Sequence, residues 1–304
     1  MSAPRVSVII PTFNRAGTLQ RAINSALEQS FISIEVIVVD DGSTDSTRDL
    51  LGEYNGRIKT IYQADGGPSK ARNVGFRASR GELIAFLDSD DVWNHSKISM
   101  QVKLMDSSGS DVPCCVTNAL LIGSLGESKI SFAVSGVESD RAEGYWINPA
   151  HIIATRFVLF NQVALIRGTA FEKVGGFRED IRVLEDYDLA FRLALLGPWG
   201  FLSKAMVTKY DMNTGIGVKA MNSPSEHLYA WLSALKGMLK EAEKGDSKTH
   251  RLVLRAFKEA QSEITATNEI LCRNIIMRLR AKLWIRMNRI RQSIRRRLPD
   301  WPSV

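Results

Sequence analysis

Three aspartates, Asp88, Asp90 and Asp91, fall within four residues directly behind the apolar run Leu83-Ile84-Ala85-Phe86-Leu87. Like charges at the end of a buried run repel one another unless a cation or a set of donors stands among them. Paired carboxylate oxygens suit Mg²⁺ or Mn²⁺, which keep part of their water shell and also hold substrate phosphates; a solvated acidic turn is the plainer alternative. A second set is Asp40-Asp41-Gly42-Ser43. A carboxylate there can accept from a nucleobase N–H or a ribose hydroxyl, while Asp and Ser also build ordinary capping turns. Gly66-Gly67, followed by Lys70 and Arg72, offers backbone donors and two cations to phosphate oxygens, or an exposed basic helix face. The fourth set is Glu185, Asp186 and Asp188. They either complement a helix dipole or include a general base.

These residues need elements to position them. "VSVII" (6–10), "EVIVV" (35–39), "KTIY" (59–62) and "LIAFL" (83–87) are short apolar runs rich in β-branched residues. Helical segments at Ala16–Gln29, Asp45–Gly52 and Pro68–Ala78 separate them, the second capped by Ser43 or Thr44. This alternation predicts an open, mostly parallel α/β sheet flanked by helices. Ligands of such sheets lie beyond the carboxyl ends of the strands, and "PTFNR" (11–15), "DDGSTD" (40–45), "QADGGPSKARN" (63–73) and "DSDD" (88–91) all follow strands on that one edge. Farther on, strand-like pieces are expected at 112–118, 129–134 and 162–167, and a helix from about Leu184. Beyond Pro224 the pattern is helical, over 225–244, 247–270 and 273–298. The expected division is a sheet domain over 1–222 and a helical extension over 223–304.

The chain of 304 residues has a net charge of +7. Leu271–Val304 holds ten Arg or Lys and one Asp, a balance of +9, so the remainder stands at −2. The three cysteines, Cys114, Cys115 and Cys272, form no disulfide framework, which suggests a reducing compartment. No secretory pattern opens the chain, and its longest uncharged stretch, Val112–Gly126, is too short and polar for a transmembrane span. A cytoplasmic location is therefore expected.

Taken together, "VSVIIPTFNR", "VIVVDDGSTDST", "GGPSKARNVGFRASRGELIAFLDSDD" and "GGFRED…EDYDLAFRL" resemble the family 2 glycosyltransferases of GT-A fold, in order and spacing over about residues 5–200. The resemblance implies metal-dependent, inverting transfer of a sugar from a nucleotide-sugar, with Mn²⁺ or Mg²⁺ as cofactor. It implies that Asp40 binds the base, with uracil expected, and that Pro11, Thr12, Asn14 and Arg15 line the nucleotide pocket. Gly67, Lys70, Arg72, Asp88 and Ser89 complete the donor site. Asp90 becomes the direct metal ligand with Asp88 as the second candidate, and Asp186 the catalytic base with Glu185 as alternative. Many relatives carry a His past the base helix as a third ligand. Asn213 stands there in this chain, which leaves the metal to Asp90 and the diphosphate or to another residue such as His227.

The tail over 273–298 places Ile276, Leu279, Leu283, Met287, Ile290, Ile294 and Leu298 on one helical stripe with Arg and Lys around it. That pattern fits a helix lying on an anionic membrane, or one packed on its own domain or a partner. The expected enzyme is peripheral at the inner face of the cell membrane and acts on a lipid-linked or surface-polysaccharide acceptor. Nucleic acid is not an expected partner, since the tail lacks the aromatic interleaving of strand binders. The rival readings are a non-catalytic membrane scaffold or nucleotide-sugar sensor on a degenerate transferase fold, and a nucleotidyltransferase. The full carboxylate set argues against the first, and "PTFNR" in place of a glycine-rich basic loop argues against the second.

Overall fold

The computed structural model describes residues 3–156, 158–181, 184–210, 224–243 and 247–262, the last stretch without 252, 256 and 259–261. The chain divides into two compact units, 1–257 and 258–304. All the elements named below belong to the first. Its strands are β1 (Val6–Thr12), β2 (Ile34–Asp40), β3 (Lys59–Tyr62), β4 (Leu83–Phe86), β5 (Val92–Trp93), β6 (Cys114–Ile122), β7 (Ser128–Ile130), β8 (Glu143–Trp146), β9 (Ala164–Arg167) and β10 (Trp199–Tyr210). The helices are α1 (Ala16–Leu27), α2 (Thr47–Gly52), α3 (Pro68–Arg77), α4 (Lys97–Ser107), α5 (Ser131–Ser135), α6 (Pro149–Thr155), α7 (Gly168–Lys173), α8 (Glu185–Ala194) and α9 (Pro224–Ala242).

One sheet runs β3-β2-β1-β4-β9-β6-β10-β5, with β7 on β6 and β8 on β10. β3, β2, β1 and β4 are mutually parallel. β9 runs antiparallel to both β4 and β6, and β10 is parallel to β6. Two reversals cancel, so β10 points the same way as β1 and β4, and its end at Tyr210 reaches the edge where Thr12, Asp40 and the aspartate cluster lie. Burial explains the continuous apolar runs: Val8, Ile9, Ile10, Val36 to Val39 and Leu83 to Leu87 are all buried, as strands covered on both faces must be.

The expected strands and helices of the first ninety residues are present, with bounds shifted by a residue or two. Three details differ. Helix α2 starts after Ser46 rather than Ser43 or Thr44; Asp40 and Asn14 take up the Ser43 and Thr44 amides, while Asp45 Oδ1 accepts from Thr47 N. The strand expected over 129–134 ends at Ile130, and residues 131–135 turn into α5. There Asn118 Oδ1 accepts from Phe132 N and Ser131 Oγ, pulling the chain off the sheet. The strand expected at 112–118 instead runs from Cys114 to Ile122. The helical expectation for 273–298 lies outside the described residues. No described helix is long and apolar enough to cross a membrane.

Helix α3 approaches β1 and β2 through Gly75, where an added Cβ would meet Ile9 Cγ2 at 2.4 Å and Val39 Cγ2 at 3.3 Å. Gly75→Ala should therefore lower the urea unfolding midpoint, by about 1–3 kcal/mol of overpacking. An unchanged midpoint would show that α3 can back away from the sheet.

Candidate active site

The cleft forms where β1, β2, β4 and β10 end and α8 begins. Thr12 and Asp40 are register partners across β1 and β2. Asp40 Oδ1 accepts from Ser43 N at 3.0 Å. Its other oxygen, Oδ2, and Thr12 Oγ1 are buried without a hydrogen-bond partner among the described residues. Two orphaned polar atoms side by side at strand ends call for a ligand or water to satisfy them.

Asp41 is used differently. Its carboxylate accepts from Gly66 N at 2.9 Å, Gly67 N at 2.7 Å and Gln63 Nε2 at 2.6 Å. The backbone donors that the Gly66-Gly67 spacing offers to a phosphate are thus taken by Asp41, and the φ of 85° at Gly67, a left-handed value that glycine adopts without strain, lets the turn feed directly into α3. Asn14, itself left-handed at φ 52°, ties the loop after β1 to the loop after β2. Its Oδ1 accepts from Thr44 N at 2.8 Å, and its own N–H donates to Ser43 Oγ at 2.9 Å. Pro11 is buried at the end of β1, Ser89 is buried, and Lys70 is exposed on the first turn of α3.

Arg72 sits at the centre. Nη2 donates to Asp88 Oδ1 at 2.8 Å and Nη1 to Glu185 Oε1 at 3.0 Å, while the guanidinium lies over the Phe177 ring at 5.2 Å. Burial alone would favour losing its proton, but Asp88 and Glu185 hold it more firmly charged than a free arginine. Beneath it Phe86, Phe171 and Phe177 pack with centroids 5.1 to 5.7 Å apart. Asn73, one residue on, donates to Phe177 O and Glu179 Oε1 and accepts from Phe177 N. The loop leading to α8 is therefore fastened to α3.

Each acidic group divides its labour. Burial pushes the Asp88 carboxyl up, yet Arg72 and Lys209 win and keep it below its ordinary value; Gln162 Nε2 also donates to it. Asp90, half-buried, is raised by burial and by Asp88 beside it, with Arg15 Nη2 at 3.8 Å. Asp91 is fully buried, accepts from Tyr210 N at 3.2 Å and pairs with Lys209 Nζ at 3.5 Å. Carboxylate oxygens of these three aspartates lie within 4.8 Å of one another. That all-oxygen donor set fits a divalent cation of the Mg²⁺ or Mn²⁺ kind. Asp90 retains the most free coordination capacity, because Asp88 is spent on Arg72 and Gln162 and Asp91 on β10. Asn213 and the His227 side chain lie outside the described residues.

On α8, Asp188 is a structural anchor. It takes Arg192 Nη2 at 2.6 Å and Arg178 Nη1 at 2.9 Å, and Arg178 continues to Glu241 on α9. Glu185 is held by Arg72. Asp186 makes no ion pair among the described residues and accepts only from Tyr187 N at 2.9 Å. Burial and the neighbouring Glu185 push its carboxyl up to about 7, the range in which a carboxylate works as a general base. Sequence reasoning had no signal for Lys209 and Gln162, whose types are ordinary and which only the fold brings to the cleft; it marked Asp41 within its motif but not its hold on the Gly66-Gly67 turn.

Opposite stabilities follow. Asp188→Asn breaks a buried charge network and should cost on the order of 3 kcal/mol in urea unfolding. Asp186 titrates higher in the fold than its ordinary 3.8, so its contribution is present below that value and is lost as pH rises through about 7. Asp186→Asn should accordingly unfold later than the parent chain at pH 8, and a melting comparison at pH 5 and pH 8 checks this.

A family model described as "Glycosyl transferase family 2" matches residues 7–165, more than half of the chain. A glycosyltransferase of Nostoc sp. strain PCC 7120 is 45% identical over 108 residues, 34% of each chain. TuaG of Bacillus subtilis, whose name assigns it to teichuronic acid biosynthesis, is 41% identical over 106 residues, 34% of this chain and 42% of its own. The matches thus span less than half the length of these two relatives. The structure of S. aureus TarS 1–349 in complex with UDP-GlcNAc superposes with a TM-score of 0.67 at 23% identity, over 84% of this chain and 72% of that one. The fold is the same: a mostly parallel sheet between helices.

Proposed function

The chain belongs to glycosyl transferase family 2, and on that premise we propose that it moves a sugar, with inversion, from a nucleotide-sugar to a hydroxyl of a surface polysaccharide or lipid-linked glycan. The observation that carries this is the division between Glu185 and Asp186: Arg72 pairs with the first, while burial and the Glu185 charge raise the second to about 7 against the pull of Arg72. In the proposed reaction Asp186 takes the proton of the acceptor hydroxyl as that oxygen attacks the anomeric carbon. One displacement, with no covalent sugar on the enzyme, inverts the configuration. The transition state is oxocarbenium-like. Asp40 Oδ2 and Thr12 Oγ1 receive the base or ribose, and Arg72, with no aqueous shell of its own, stabilises charge on the departing diphosphate. Asp90, with Asp88 beside it, would hold Mn²⁺ or Mg²⁺, which when bound neutralises diphosphate charge.

UDP is the first donor nucleotide to try, supported by the UDP-GlcNAc complex of TarS, and a polysaccharide acceptor is supported by the name of TuaG. Screening nucleotide-sugars for metal-dependent release of a nucleoside diphosphate tests the activity. Release that neither EDTA nor Asp90→Ala diminishes would remove the metal from this reading.

Transfer should show an acid limb with a midpoint near pH 7, since Asp186 must be ionised to accept a proton. Asp186→Asn should bind donor normally, lose about 10²-fold or more in transfer rate, and lose that limb. Near-normal transfer would move the role to Glu185.

The division at 222/223 and the membrane address of 273–298 enter this reading as proposals, the tail lying outside the described residues. A chain ending at Leu271 should keep donor hydrolysis while losing binding to anionic vesicles, and vesicle binding of the full chain should weaken as salt rises. Salt-independent vesicle binding would exclude electrostatic docking.

A further inference from the structure

Among the described residues, Lys209 is the cation of the cleft that no sequence motif announces. It is the penultimate residue of β10, half-buried, with Nζ 3.5 Å from Asp91 Oδ2. The backbone N–H of Tyr210 donates to the other oxygen of the same carboxylate at 3.2 Å, so the ammonium and its strand are fixed to the aspartate loop together. Asp88, Asp90 and Asp91 bring their oxygens within 4.8 Å of one another, and Lys209 feels all three. Arg72 stands on Asp88 and Arg15 on Asp90. Three carboxylates thus face three cations before any metal arrives. A divalent ion entering this cluster must meet the Lys209 charge, while a diphosphate entering it is attracted by that charge.

We propose that Lys209 is a resident cation of the aspartate cluster: it weakens divalent-metal binding by the protein alone, and it supplies positive charge to the diphosphate of the donor. The second half rests on the nucleotide-sugar reading; the first does not. Lys209 differs from Arg72 in reach. Arg72 is held by one contact to Asp88 and one to Glu185 over Phe177 and acts on a diphosphate from that fixed position, whereas an ammonium on a flexible stem can turn from Asp91 toward a phosphate oxygen while Tyr210 N still holds the carboxylate.

Calorimetry on the full chain, with Mn²⁺ alone and with UDP in EDTA, tests both halves using Lys209→Met and Lys209→Arg. Lys209→Met keeps the apolar stem and should bind nucleotide-free Mn²⁺ about 10-fold more tightly, and UDP in EDTA about 10-fold more weakly, because one unit charge has left the cluster. Lys209→Arg should stay close to the parent in both. Mn²⁺ affinity that is unchanged or weaker in Lys209→Met overturns the first half. UDP affinity in EDTA that is unchanged in that variant, or parent binding of UDP seen only with Mn²⁺, overturns the second. Should the parent bind neither UDP nor GDP under any metal condition, the nucleotide-sugar reading falls, and the Mn²⁺ measurement still decides the first half. If Lys209→Met does not fold, Asp91→Asn with Lys209→Met removes the pair together. Mn²⁺ binding no tighter than in Asp91→Asn alone then overturns the proposal.

Discussion

The guanidinium of Arg72 is the interaction on which the cleft depends. It joins three stretches distant in sequence: its own helix α3, the aspartate cluster after β4, and the start of α8. A buried arginine is tolerated when its charge is matched. Asp88 and Glu185 do that here through Nη2 and Nη1, the Phe177 face covers the guanidinium, and Nε has no hydrogen-bond partner among the described residues. Removing Arg72 would leave both carboxylates without that partner in a low-dielectric pocket, so Asp88 and Glu185 are fixed by electrostatics as well as by shape.

That fixation sorts the acidic residues. Within every cluster at least one carboxylate is engaged by structure and a neighbour is left open. Asp41 holds the Gly66-Gly67 turn, and Asp40 keeps an unpartnered oxygen. Asp88 is occupied by Arg72 and kept low, while Asp91, held by the end of β10, is pushed by burial up to about 7 and Asp90 is raised beside it. Glu185 goes to Arg72 and Asp188 to Arg178 and Arg192, and Asp186 is raised to about 7. Perturbed carboxylates beside satisfied ones are the pattern expected where charge is put to chemical use.

The base-bearing helix is held from two sides. Asn73 and the phenylalanine cluster fasten its approach loop to α3, and Tyr187 Oη donates to Arg156 O at 2.7 Å. On the far side Arg178 carries the Asp188 network to Glu241, while Leu235, Met238 and Ala242 of α9 are buried. The first helix beyond residue 223 therefore shares a charge network with the helix that presents Asp186.

The sequence by itself determined the sheet's parallel half, the edge on which the polar clusters gather, and the family, because continuous β-branched runs and strand-end Asp and Gly are local signals that no distant contact can reverse. Its one misplaced strand, at 131–134, failed for a tertiary reason: Asn118, on the paired strand β6, captures the Phe132 amide and bends the chain into a helical turn. What only the tertiary structure decided is which member of each acidic set is free. Sequence spacing treats Asp88, Asp90 and Asp91 alike, and Glu185, Asp186 and Asp188 alike. Of the partners that tell them apart, Arg72, Gln162, Lys209 and Arg178 come from other elements, and Arg192 from the next turn of the same helix. Their arrival rests on two strand reversals through β9 and on a loop pinned by Asn73. Charge assignment is a through-space property, and only the fold sets those distances.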